Sequence, residues 1–341
     1  MLQFVPKSVW SIGKRQAHGA LPVEPGTEIV IQDTLARDLA GDSACEGEAE
    51  VLSQLTWRPR QFTATVHGPA EGDLSVRYPS PKPQGNPYWD TAELDWYFAR
   101  DRTGNILTAP AVVVLDILQG GNLVSGFIAR NLSCKGLHAF VLHMPQNGRR
   151  NKPGAVHDWS YFLECVKQGA ADARRARDVV AALPSVEGGV SLQGTSLGGF
   201  VATLAGSIDG CFETTILALT GGDVFGILSK GKMDAARVRG HLRDAGMTDE
   251  RLREALWKVE PLRVAHRMDA KKTWLFSARY DQVVPAQHGK MLAEAINLDW
   301  SHHRQLTGCH YTCAVNAHRF LEEMVRAVPR HSENAGVSRS V

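Results

Sequence analysis

The chain has 341 residues, enough for one large α/β domain or two small ones, and 43% of them are hydrophobic, so a sizeable core is possible and disorder is not the default. Its 38 basic and 36 acidic residues leave a net charge of +2, which gives no reason to invoke a nucleic-acid partner. The start, Met1-Leu2-Gln3-Phe4-Val5-Pro6-Lys7, lacks the apolar core of a signal peptide, and no apolar run reaches the roughly 18 residues of a membrane span, so a cytoplasmic protein without a membrane segment is expected.

Residues 1–58 are poorly patterned: Pro22, Pro25 and Gly26 break the first part, a short helix is expected around Thr34 to Leu39, and Asp42 to Glu50 is small, acidic and turn-like. This stretch reads as an N-terminal arm of unassigned role. From Gln61 the period changes, with Phe62, Ala64 and Val66 alternating with threonines before a Gly68-Pro69 turn, and Leu74 and Val76 alternating after it. That is a hairpin-like antiparallel pair at one edge of a sheet. Pro81 to Pro87 is a loop, and the aromatic, acidic stretch Trp89 to Tyr97 has no assignable pattern.

The pattern then becomes βαβα. Ala111 to Leu118 is a nearly continuous apolar run, as expected of a strand buried on both faces, followed by Gln119-Gly120-Gly121 and a helix over Leu123 to Leu132. His138 to Met144 is the next strand. Phe162, Val166, Gly169, Ala173, Ala176 and Val180 mark a long amphipathic helix, and Val190 and Leu192 a strand after Gly188-Gly189. Thr214 to Leu219 and Lys272 to Ala278 are strands separated by an insertion, 223–268, with helices at Met233 to Ala245 and Asp249 to Trp257. A helix over Ala286 to Ile296, a strand over His303 to Leu306, a helix over Tyr311 to Val328 and a polar tail, 329–341, complete the chain. The order implies a mostly parallel, doubly wound α/β sheet with helices on both faces, whose sites lie beyond the carboxyl ends of the strands.

Gly194-Thr195-Ser196-Leu197-Gly198 follows one of these strands and opens a helix-like run of small residues. A tight strand-to-helix turn would put the serine at its apex in a strained conformation. A side chain two residues before or after would collide with backbone, hence the two glycines. Gln119-Gly120-Gly121, Asp281 and His310 also fall at expected strand ends, so they collect with Ser196 on one edge. The six scattered cysteines form no CxxC pair, and Cys309 and Cys313 around His310 lack a second ligand pair at zinc spacing, so reduced thiols and no metal are expected.

With these residues the chain resembles the α/β-hydrolase superfamily over about residues 59–328, in the order nucleophile, acid, histidine. The resemblance implies Ser196 as nucleophile, Asp281 in Asp281-Gln282-Val283-Val284-Pro285 as the acid, and His310 in Gly308-Cys309-His310 as the base, with Asp299, His302 and His303 as weaker competitors. It implies an oxyanion site made by the N–H of Leu197 and by the loop Gln119-Gly120-Gly121, with Gly121 the best match and Gly120 or Asn122 possible; Gln119 stands where relatives have histidine. Met144-Pro145 to Arg149-Arg150 looks like an arginine-bearing pocket loop of some esterase-like members, without its histidine; Arg149 is therefore a candidate substrate-binding residue, a surface charge being the alternative. The insertion reads as a small helical cap, with Phe225, Ile227, Leu228, Leu252, Leu256 and Trp257 available to face the pocket and limit acyl length.

The implied activity is hydrolysis of a small-molecule carboxylic ester through an acyl-enzyme, with no cofactor. An oligopeptidase-like or amidase-like hydrolase ranks lower, because such members usually carry a large filtering domain. A non-catalytic binding module on the same fold ranks lower still, because all three triad positions are filled.

Overall fold

In the computed structural model of the protein, residues 20–36, 39, 45–313 and 317–330 are described. Among the described residues ten strands are present: β1 (Glu28–Gln32), β2 (Gln61–His67), β3 (Leu74–Pro79), β4 (Thr91–Tyr97), β5 (Ala109–Leu115), β6 (His138–Leu142), β7 (Val186–Thr195), β8 (Thr215–Ala218), β9 (Thr273–Ala278) and β10 (His303–Leu306). They make one sheet in the order β1-β2-β3-β4-β6-β5-β7-β8-β9-β10. The pairs from β6 to β10 are parallel, and those from β1 to β4, with β4 on β6, are antiparallel.

The helices are α1 (Glu48–Leu55), α2 (Leu123–Cys134), α3 (Phe162–Ala181), α4 (Leu197–Asp209), α5 (Val224–Lys230), α6 (Asp234–Asp244), α7 (Asp249–Trp257), α8 (Ala286–Ile296) and α9 (Ala317–Ala327). The apolar run of β5 feeds both faces by simple alternation. Ala111, Val113 and Leu115 join the core under α3, α4 and α8, while Val112 and Val114 join a second core under α2 and α9. The sheet is therefore wound on both sides, as the βαβα order implied.

The structure revises several readings and fills one gap. Residues 34–36 and 39 are not helical, and 37 and 38 lie outside the described residues; the arm's helix is α1, and its Glu28–Gln32 is an edge strand, so the hairpin β2–β3 sits one place inside the edge. Trp89 to Tyr97 contains β4, in which all but the first residue are buried and no alternation is left to read. The first parallel strand ends at Leu115 and not at Leu118. Residues 311–313 are not α-helical, and the last α-helix is described over Ala317–Ala327; residues 314–316 and the tail from 331 lie outside the described residues. Among the described residues, no helix is long and apolar enough to cross a membrane.

The arm is fastened by polar groups. Arg175 of α3 and Asp33 after β1, both fully buried, pair at 2.6 Å, and Trp57 donates its indole N–H to the same carboxylate at 3.0 Å. Thr34 bonds Asp178 of α3 through both its N–H and its hydroxyl, at 2.9 and 2.6 Å.

Candidate active site

The turn between β7 and α4 places Ser196 at φ 54° and ψ −116°, a region L-residues rarely occupy. Its N–H donates to Ala218 O at 2.8 Å, which holds the apex against β8. The flanking glycines are steric necessities. A Cβ on Gly194 would run into the Gly198 carbonyl, and one on Gly198 would lie 2.6 Å from the carbonyl oxygens of both Leu115 and Asp116.

Asp281 follows β9. One carboxylate oxygen accepts the N–H groups of Val283 and Val284, at 2.8 and 2.9 Å, which fixes the side chain on the turn into α8. The other lies 2.7 Å from His310 Nδ1, and His310 Nε2 lies 3.0 Å from Ser196 Oγ. An ionised carboxylate only accepts, so Nδ1 carries the proton and Nε2 is free to accept from the serine hydroxyl. The competitors point elsewhere: Asp299 accepts from Ser301 and His302, and His303 Nε2 meets Ser277 Oγ at 2.8 Å.

Ser196 and His310 open onto a cavity of about 540 Å³. Its walls come from both cores: Phe127, Ile128 and Phe320 on the α2–α9 side, Phe162, Leu256 and Val259 on the α3 and cap side. Among the described residues one carboxylate lines it, Asp234 of α6, which already accepts the Tyr311 hydroxyl at 2.6 Å and pairs with Arg237 at 2.7 Å. Among the described residues no group of three or more His, Cys, Asp or Glu could hold a metal ion. Burial pushes the Cys313 thiol up to about 12, and Cys309, bonded to the Thr312 hydroxyl, is held below the usual thiol value.

Several expected pocket residues are placed elsewhere. Gln119, Gly120 and Gly121 do not line the cavity; Ile117 and Leu118 do, because the strand ends three residues earlier than the apolar run. The Gly120 N–H is spent on Ile117 O at 3.3 Å, and that of Asn122 on the Asp116 carboxylate at 2.7 Å. Leu118 and Leu197 both line the cavity, and the N–H groups of Leu118, Gly121 and Leu197 have no acceptor among the described residues.

Arg149 is neither a pocket group nor a free surface charge. It bridges Glu93 and Asp95 of β4, the first at 2.6 Å, and Asp95 also holds the buried His143 at 2.7 Å. Its neighbour Arg150 is buried and pairs with Asp172 of α3 at 2.8 Å. In the cap, Ile227, Leu228 and Leu256 face the cavity; Phe225, Leu252 and Trp257 do not, and the Trp257 ring lies outside it, 39% exposed and covered by the Arg263 guanidinium. On α7, adjacent positions point in different directions, so Leu256 can line the cavity while Trp257 turns away.

Neither a family model nor a curated protein matches the sequence. Solved structures do resemble it in shape. An acetyl xylan esterase from Paenibacillus sp. R4 superposes with a TM-score of 0.54 at 14% identity, covering 85% of this chain and 98% of that one. A puromycin-hydrolyzing peptidase of Mycobacterium tuberculosis gives 0.52 at 14% identity, over 77% of this chain and 45% of that one. An acylaminoacyl peptidase of Pyrococcus horikoshii gives 0.52 at 12%, over 82% and 50%. This chain thus spans about half the length of the two peptidases, and at such identities the likeness is one of fold.

Proposed function

From its α/β-hydrolase fold, with serine, histidine and aspartate joined at the strand tips, we propose that this chain is a serine hydrolase that cleaves carboxylic esters through an acyl-enzyme intermediate. The observation that carries the reading is the unbroken hydrogen-bond chain from Asp281 through His310 to Ser196, 2.7 and 3.0 Å long, opening on an apolar cavity.

In this reading Ser196 Oγ attacks the ester carbonyl while His310 Nε2 takes its proton. Asp281 keeps Nδ1 protonated and stabilises the imidazolium. The oxyanion is held by the N–H groups of Leu197 and Leu118, each donor supporting about 3 kcal/mol of barrier reduction. The Leu197 N–H is the first of α4, where helix geometry supplies no internal acceptor and the dipole favours negative charge. His310 then protonates the leaving alcohol, and water, activated by the same imidazole, releases the acid. This scheme calls for no metal or organic cofactor.

The cavity favours a small, neutral ester. Its carboxylate is already occupied, its other walls are mostly aliphatic and aromatic, and few groups are free to bind the backbone of an extended peptide. This ranks amide and peptide substrates second. A binding module without catalysis ranks third, since the Ser–His–Asp geometry serves no evident packing purpose. The test compares a p-nitrophenyl ester with the p-nitroanilide of the same acyl group. The expected result is ester kcat/KM higher by more than about tenfold; comparable or faster amide cleavage would move the assignment to the amidases.

A further inference from the structure

Asp116, the first residue after β5, is 5% exposed, yet no Lys, Arg or His pairs with it among the described residues. Its partners are backbone: one carboxylate oxygen accepts the Asn122 N–H at 2.7 Å and the other the Ser125 N–H at 3.2 Å, at the start of α2. Burial pushes this carboxyl above its ordinary value, and the surrounding N–H groups of Ile117, Asn122 and Ser125 pull it back down.

The loop so held is strained. Gln119, Gly121 and Asn122 have φ of 51°, 57° and 59°, and two of these three are not glycine. A Cβ on Gly120 would come within 2.7 Å of the Asp116 carboxylate, so the glycine makes room for it. The carbonyl of Asp116, meanwhile, is one of the two that lie against Gly198 of the elbow. One residue therefore touches the nucleophile turn through its backbone and gathers residues 117–125 through its side chain. Leu118 lies inside that gathered segment, its N–H without an acceptor among the described residues, on the cavity wall that also contains Ser196.

We infer that Asp116 is a positioning residue for ester hydrolysis, its carboxylate fixing the 117–122 loop so that the Leu118 N–H stands where the oxyanion forms. This rests on the serine-hydrolase reading above and assigns a role that the reading does not need. A carboxylate suits the task because it offers two acceptor oxygens to two N–H groups at once. Asparagine is the same size but sets an NH2 against one of them, and an unmatched donor leaves the loop free to move.

The consequence is specific to the transition state. A displaced oxyanion donor weakens binding of the tetrahedral state and hardly affects the ground-state ester. For Asp116→Asn, kcat should fall by about 10- to 100-fold with KM within about twofold of wild type. An alkylboronic acid, which mimics the tetrahedral adduct, should bind more weakly by a similar factor. All rates are counted per active site, titrated with a fluorophosphonate, so unfolded protein drops out; Asp116→Ser, smaller and with one acceptor, serves if the asparagine variant does not fold. A purely structural Asp116 would lower thermal stability while leaving kcat per titrated site and boronate affinity within about threefold of wild type, and that result overturns the inference. Wild-type protein that fluorophosphonate fails to label would instead overturn the serine-hydrolase reading itself, so the two failures are told apart.

Discussion

Ser196 holds a backbone conformation that costs about 1–3 kcal/mol, and the surrounding turn tolerates it because both neighbouring glycines leave room for carbonyls. Alanine can occupy the same backbone, so Ser196→Ala should lose ester hydrolysis by about four orders of magnitude or more while its melting temperature stays close to wild type. Asp281→Asn and His310→Ala should each lower kcat by several orders of magnitude, read under saturating ester. If Asp299→Asn or His303→Ala were the damaging changes, the placement of the last two strand tips would be wrong. The meeting of these three side chains was legible because each sits in a short motif whose spacing encodes a turn. The end of the first parallel strand was misread for a physical reason: Ile117 and Leu118 line the cavity, and in sequence they look like two more residues of buried strand.

At the scale of elements, the cap and β6 give separate predictions. Leu256 and Val259 narrow the cavity from the cap side, so esters with short acyl chains, about two to six carbons, should be cleaved best, and Leu256→Ala should shift the kcat/KM optimum towards longer chains. Trp257→Ala should leave that profile unchanged, because its ring lies outside the cavity; a shifted profile would contradict this placement. In β6, His138 is buried, accepts the Trp96 indole N–H at 3.1 Å and the Ala99 N–H at 3.0 Å on Nδ1, and directs Nε2 at Leu107 O, 2.9 Å away. Burial lowers its pKa from 6.5 to about 4. The unfolded chain binds the extra proton first, so this contribution is complete above pH 6.5 and is lost as pH falls towards 4. The loss amounts to about 3 kcal/mol. Urea unfolding of wild type between pH 7 and 4.5 should reveal it as a drop that is smaller by most of that amount in His138→Gln. Helix and strand periods foretold most of the parallel half of the sheet, while β4 went unread because burial on both faces erases alternation.

The whole molecule joins an arm with little sequence pattern to a strongly patterned body. Asp33 and Arg175 lie 142 positions apart, and nothing in the local sequence of either announces the other. Their pairing, with Thr34 on Asp178 and Glu48 on Arg267 at 2.6 Å, makes the arm part of the body. A buried ion pair broken on one side leaves an unpaired charge, so Asp33→Ala should destabilise the protein by about 3–5 kcal/mol in denaturant unfolding. Kinetic constants of the protein that remains folded should not change, since neither residue lines the cavity. A loss below about 1 kcal/mol would mean that water reaches Arg175 and the arm is not sealed against α3.

The central claim is that Ser196, activated by His310 and Asp281, is the nucleophile. The most direct measurement is the intact mass of the protein after reaction with a fluorophosphonate, followed by peptide mapping. The account predicts one adduct per chain, carried by the peptide that contains Ser196, formed by wild type and absent from Ser196→Ala. Unmodified wild-type protein, or an adduct that persists in Ser196→Ala, would contradict it.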